Sequence, residues 1–235
     1  MKILFAGPSL PDAAAFCGDT VEIRPPAIHG DVLAAVRRGA TAIGIVDGGF
    51  EHVAPVWHKE ILHALDEGVT VFGAASMGAL RAAECDRFGM IGIGRIYEDY
   101  ATGRRMDDAD VALLHGPAEL GYPPLSLPLV DAEATLERLE ARDMLEKSCL
   151  FSLRDAARSL FYKERTWTAV IEKAGRREER DRLLQLIQAS SVNRKRDDAL
   201  ELVRALVDFR PQGPAKRGNW SFRATAQWRI ATRQP

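Results

Sequence analysis

Val69-Thr70-Val71-Phe72-Gly73-Ala74-Ala75-Ser76-Met77-Gly78-Ala79-Leu80-Arg81-Ala82-Ala83-Glu84 decides the fold. The run opens with β-branched and aromatic residues, which suits a buried strand. It then turns to small residues, and Met77, Leu80, Arg81 and Glu84 follow at helical spacing. Between strand and helix, Ala74-Ala75-Ser76-Met77-Gly78 reads as a loosened G-x-S-x-G elbow with Ala in the first Gly position. A sharp strand-to-helix turn leaves no room for large side chains and lifts a serine hydroxyl clear of the sheet. The N–H groups that follow lack intrahelical acceptors and can hold an oxyanion. Two roles stay open for Ser76: an N-cap before Met77, or a nucleophile.

Outward from this stretch the same alternation repeats. Lys2–Gly7 reads as a first strand, ended by the loop Gly7-Pro8-Ser9-Leu10. Thr20–Arg24 is a short second strand, and Gly30–Arg38 a helix with Val32, Leu33 and Val36 on one face. The nearly all-apolar Thr41–Val46 is a third strand, as expected when both faces are covered. Asp47-Gly48-Gly49-Phe50 follows at its carboxyl end, where open α/β sheets place ligand contacts. Asp47 either turns the chain or holds a site residue; Ser9 is a loop residue that could line the site. Pro55–Glu67 reads as a helix begun by its proline and ended by Gly68. Lys59 lies in its first turn, where positive charge is disfavoured. Phe88–Gly94 reads as a glycine-punctuated loop, Arg95–Thr102 as a short helix and Val111–His115 as a further strand. Asp107, Asp108 and Asp110 could in principle attract a cation, but such clusters are more often solvated turns. His115 suits a satisfied polar residue at a strand end. The fold expected for residues 1–130 is an α/β domain with a mostly parallel sheet and flanking helices, the Gly7, Asp47 and Gly73 loops converging at one edge.

The prolines of Tyr122–Val130 lead out of the sheet. Residues 131–235 read as a helical C-terminal region, with helices at Asp131–Arg142, Glu146–Phe161, Thr166–Ala174, Glu178–Ala189 and Arg196–Val207. An arm, Pro211–Pro235, follows.

The 235 residues are 46% hydrophobic and 28% charged, an ordinary globular composition. No run of about 18 apolar residues suggests a transmembrane helix. The apolar N-terminal run is cut short by Gly7-Pro8, so it reads as a strand and not a signal peptide. Cys17, Cys85 and Cys149 are odd in number and form no C-x-x-C pair, so free thiols in a reducing cytoplasm are expected and no metal site. Neither a dinucleotide fingerprint nor a P-loop is present, and no cofactor is expected. The net charge of −1 hides a split. Residues 1–140 carry 11 basic against 21 acidic side chains, and residues 141–235 carry 21 against 12. The basic part lacks the aromatic interleaving of a nucleic-acid surface, so it points to a protein partner.

The blocks Asp47-Gly48-Gly49-Phe50, Val56-Trp57-His58-Lys59-Glu60-Ile61-Leu62, Gly73–Glu84 and Asp107-Asp108 together resemble the TfuA family over residues 1–130 or so. The helical remainder carries no matching motif. TfuA-like proteins act beside YcaO enzymes, which activate peptide amides for thioamide formation. The resemblance implies that the chain releases sulfide by hydrolysing a thiocarboxylated, ubiquitin-like sulfur carrier of the ThiS type, through a Ser–Lys pair. Carried over by residue, the serine is Ser76 and the lysine Lys59, the only lysine between Lys2 and Lys147. His58 is the alternative base. Met77 and Gly78, with Gly48 or Gly49, become candidate oxyanion donors, and Arg81 a nearby positive charge that would depress the lysine pKa. The rival expectation is a non-catalytic adaptor that docks carrier and peptide onto YcaO.

Overall fold

The computed structural model describes residues 1–211 and 220–232. Five strands form one parallel sheet: β1 (Lys2–Phe5), β2 (Val21–Arg24), β3 (Ala42–Ile45), β4 (Thr70–Ala74) and β5 (Ile91–Ile93), in the order β2-β1-β3-β4-β5. This is a doubly wound sheet. The chain runs one way from β1 to β2 and the other way from β3 onward, so the loops after β1 and β3 diverge and leave a crevice at their carboxyl ends.

Helices cover both faces. On one lie α2 (Asp31–Arg37), α3 (His58–Asp66) and α4 (Met77–Cys85), which bury Ile3, Phe5, Ile43, Ile45 and Val71. On the other, the short α1 (Ala14–Cys17) leads into a core of Leu4, Ala42, Phe72 and Ala74. That face is closed from far along the chain. After α5 (Gly94–Ala101), a separate cluster is built by α6 (Leu129–Ala141), α7 (Lys147–Ser159), α8 (Trp167–Lys173) and α9 (Arg180–Ala189). Then α10 (Arg194–Asp208) returns to the sheet and lays Ala199, Leu202, Val203 and Leu206 on it. Gly44 makes room, because a methyl group there would come within 2.8 Å of Leu202 and 3.0 Å of Leu206. Lys2 Nζ donates to the Val207 carbonyl at 2.6 Å, tying β1 to the end of α10. The sequence divides near residue 130, while the core of the sheet draws on both sides of that point.

The parallel sheet, its flanking helices and the helical C-terminal region match the sequence expectation. Some elements differ. Ile91–Ile93, expected as loop, is the edge strand β5, with Tyr97 packed where a Gly92 side chain would be. Val111–His115, expected as a strand, joins no sheet. Val111 is buried beside Ala79, Ile96 and Val130, and His115 makes one isolated bridge to Pro124. The helix expected from Pro55 begins at His58, because Pro55 is held in a bridge with Ile28. Of the arm after Pro211, residues 212–219 and 233–235 lie outside the described residues. The remainder includes α11 (Ala226–Thr232), whose Trp228 packs on Trp57 and His63. All three cysteines are buried and free. No described helix is long and apolar enough to cross a membrane.

Candidate functional site

The loops after β1, β3 and β4 meet at the crevice. Between β4 and α4 the chain reverses within two residues. Ala75 adopts φ 65°, which costs a non-glycine residue energy, and Ser76 N–H donates to Ala74 O at 2.7 Å. Close approach makes this turn possible. A methyl group on Gly73 would overlap the Gly78 carbonyl, and one on Gly78 would overlap the Ile45 carbonyl. The N-terminus of α4 is thereby seated on the end of β3, with Gly78 N–H donating to Val46 O at 3.2 Å.

Ser76 occupies the N-cap position of α4, but its side chain makes no capping hydrogen bond. Ser9 differs. Its hydroxyl donates to Asp47 Oδ1 at 2.6 Å, while Gly7 N–H and Ser9 N–H donate to Asp47 Oδ2 at 2.9 and 3.0 Å. Asp47 is buried and ties the loop after β1 to the end of β3. Its work is positional, and Ser9 is spent on it.

The four candidate oxyanion donors separate in the same way. Gly49 N–H donates to Ala27 O at 2.8 Å, and Gly78 N–H is taken by Val46. Gly48 and Met77 N–H have no protein acceptor among the described residues. These two residues are adjacent, since a methyl group on Gly48 would come within 2.6 Å of Met77 Cγ.

Ser76, Asp47, Gly48, Gly49 and Met77 line one cavity of about 340 Å³ at the crevice. Its far wall comes from the Asp108–His115 segment, from Tyr162 and Lys163 after α7, and from Lys195 at the start of α10. Lys195 was not among the residues that the sequence singled out. It is 2% exposed, and its ammonium donates to the Val111 carbonyl at 2.7 Å. Burial pushes its pKa below the usual lysine value, against partial opposition from Asp47 and Asp131. Asp131 itself accepts from Lys195 N–H at 3.1 Å, and burial raises its carboxyl to about 6.

Lys59 and His58 do not line this cavity. The Lys59 ammonium stands 5.1 Å from the Phe222 ring centroid. His58 Nε2 lies 2.7 Å from Glu84 Oε2, which also accepts from Arg81 at 2.7 Å. Burial alone would raise the Glu84 carboxyl, but His58 and Arg81 outweigh it and hold it below the usual range. Arg81 also donates to Val56 O at 3.0 Å, so it braces the start of α3 against α4. Glu60, in the same block, is buried and accepts from Gly30 N–H at 2.8 Å and Leu33 N–H at 3.2 Å, capping α2. The Trp57–Glu60 block therefore joins helices. Of the acidic cluster, Asp107 caps its own turn and Asp110 pairs with Arg105. His115 lines the cavity, bonded to the Gly116 carbonyl at 2.7 Å.

A signal for Lys195 was present. Asn193 caps α10, and Arg194, Lys195 and Arg196 fill its first turn, three positive charges at the wrong end of the helix dipole. Arg196 resolves its charge with a bidentate pair to Asp12 at 2.6 and 2.7 Å. Lys195 has no carboxylate acceptor for its ammonium among the described residues.

A family model described as TfuA-like protein matches residues 47–166, just over half of the chain. No curated protein sequence matches it. The matched segment includes Asp47, Gly48, Lys59 and Ser76, while Ser9 and Lys195 fall outside it.

Proposed function

The chain belongs to the TfuA-like protein family, and on that premise we propose that it hydrolyses the C-terminal thiocarboxylate of a ThiS-type sulfur carrier, supplying sulfide for YcaO-dependent peptide thioamidation. One observation carries the reading. An unbonded serine at a strained strand-to-helix turn shares a cavity with two unpartnered N–H groups and a fully buried lysine.

Ser76 is the nucleophile. Lys195, whose burial favours the neutral amine, accepts the Ser76 proton, directly or through one water, as the Oγ–C bond forms. Gly48 and Met77 N–H donate to the oxyanion, each worth about 3 kcal/mol when well aimed. The C–S bond then breaks, and the Lys195 ammonium returns its proton to the departing sulfur as hydrosulfide. Lys195 next deprotonates water, which cleaves the acyl-serine. The sum is thiocarboxylate plus water giving carboxylate, hydrosulfide and a proton. The lack of a side chain at Gly48, close against Met77, suits an unbranched tail. Lys59, the lysine that the resemblance implied, remains the alternative base, as does His58.

The test is sulfide release from thiocarboxylated carrier. Ser76→Ala and Lys195→Met are expected to lose about 10³-fold or more, whereas Lys59→Ala and His58→Ala stay within a few fold of wild type. A Ser76→Ala protein that releases sulfide at the wild-type rate would remove Ser76 as the nucleophile, and a wild type that releases none would leave the adaptor role in place of the hydrolase.

A further inference from the structure

A thiocarboxylate enters the cavity already carrying a negative charge, which the site has to accommodate before any attack begins. Among the described residues lining the Ser76 cavity, Lys163 is the one lysine besides Lys195, and no arginine lines it. Lys163 lies in the turn after α7 and is one-third exposed. Its ammonium pairs with the Glu51 carboxylate and stands 5.9 and 5.6 Å from the Phe161 and Tyr162 ring centroids. Glu51 is itself held in an unfavourable backbone conformation, φ 58°. Phe50 packs edge-on against Tyr162 with centroids 6.0 Å apart, so the loop after β3 is fastened to the helical region at the cavity wall. Asp47, the buried carboxylate of the same cavity, is already occupied by three donors. Glu51 is thus an internal anion resting on the one ammonium that, among the described residues lining this cavity, is not deeply buried.

We propose that Lys163 is the recognition residue for the anionic C-terminus of the substrate, and that Glu51 holds its place until a C-terminal carboxylate or thiocarboxylate displaces it. This rests on the hydrolase reading for its biological substrate, but it concerns binding. It assigns the site a preference for a free chain terminus over an internal or amidated one, because only the terminus brings an anion to exchange with Glu51.

The test is calorimetric titration with a peptide ending in Gly-Gly carboxylate and with the same peptide amidated. Wild type is expected to prefer the carboxylate. Lys163→Met weakens carboxylate binding about tenfold, Lys163→Arg restores most of it, and Glu51→Gln tightens it. Affinity for the amide stays level throughout. A wild type that does not distinguish carboxylate from amide overturns the proposal. So does a Lys163→Met protein that keeps the wild-type ratio. Because no turnover is needed, this outcome is separate from that of the sulfide assay. In that assay, the kcat/KM ratio of thiocarboxylated carrier over a neutral thioester is expected to fall in Lys163→Met through KM.

Discussion

Two serines stand at strand ends around the crevice, and their hydrogen bonds separate them. Ser9 gives its hydroxyl to Asp47, and Ser76 gives its hydroxyl to nothing within the described chain. Lys195 completes the contrast, because a buried ammonium bonded to one carbonyl is a cost to the fold. Its sign with pH can be worked out. Burial lowers the folded pKa below 10.5, so between the two values the unfolded chain binds the additional proton. Wild-type stability therefore rises with pH through that window, and the penalty is full below it. Lys195→Met is expected to gain stability over wild type as pH falls from 10.5 to 6, while losing sulfide release. Urea midpoints at the two pH values check this, and a gap that does not change with pH would remove the depressed lysine. On the same grounds wild-type activity is expected to rise with pH below 10.5. The sequence exposed Ser76 because its turn is local. It hid Lys195, which lies more than a hundred residues away and reaches the site only through the packing of α10. The first-turn charge that drew attention to Lys59 was present more strongly at Arg194–Arg196.

At the scale of elements, alternation of apolar strand and amphipathic helix was legible because each covered strand is a short β-branched run bounded by glycine or proline. The edge was not. β5 is three residues long with Gly92 in the middle, and its pairing to β4 comes from topology. Val111–His115 has the composition of a strand, but only Val111 of it is buried, against α4, α5 and α6, and the segment joins no sheet. The turn that carries Ser76 depends most on Gly78. Glycine inside a helix ordinarily costs about 1 kcal/mol against alanine. Here the sign reverses, because an added methyl would overlap the Ile45 carbonyl. Gly78→Ala is expected to lose about 3 kcal/mol or more by forcing α4 off β3. Denaturant unfolding measures it, and a stabilised Gly78→Ala protein would mean that α4 is not seated there.

For the whole molecule, the charge split between the two parts of the chain is resolved partly within it. Arg154 and Arg158 pair with Glu140 and Glu133 of α6 inside the helical region, while Lys163 and Arg196 pair with Glu51 and Asp12 across the expected boundary near residue 130. Such exposed pairs contribute little stability individually, but the two that cross the boundary orient the helical region on the acidic part. The apolar contribution is larger. Without α10, Leu4, Ala42 and Phe72 would face water on one side of a parallel sheet, an arrangement such sheets avoid. Leu202 and Leu206 are fully buried against Gly44 and Leu4. Leu202→Ala is expected to cost about 3 kcal/mol, within the usual range for a buried leucine. A chain ended at residue 190 is expected to lose cooperative unfolding and near-ultraviolet dichroism while keeping helical content. It would also lose Lys195, so activity cannot decide the point and the dichroism must. A chain of residues 1–190 with native near-ultraviolet dichroism and a sharp transition would show that the sheet domain stands alone and that α10 is an appendage. The expected result instead makes the start of α10 both a wall of the cavity and a closure of the core, so that forming the site and completing the fold are one event.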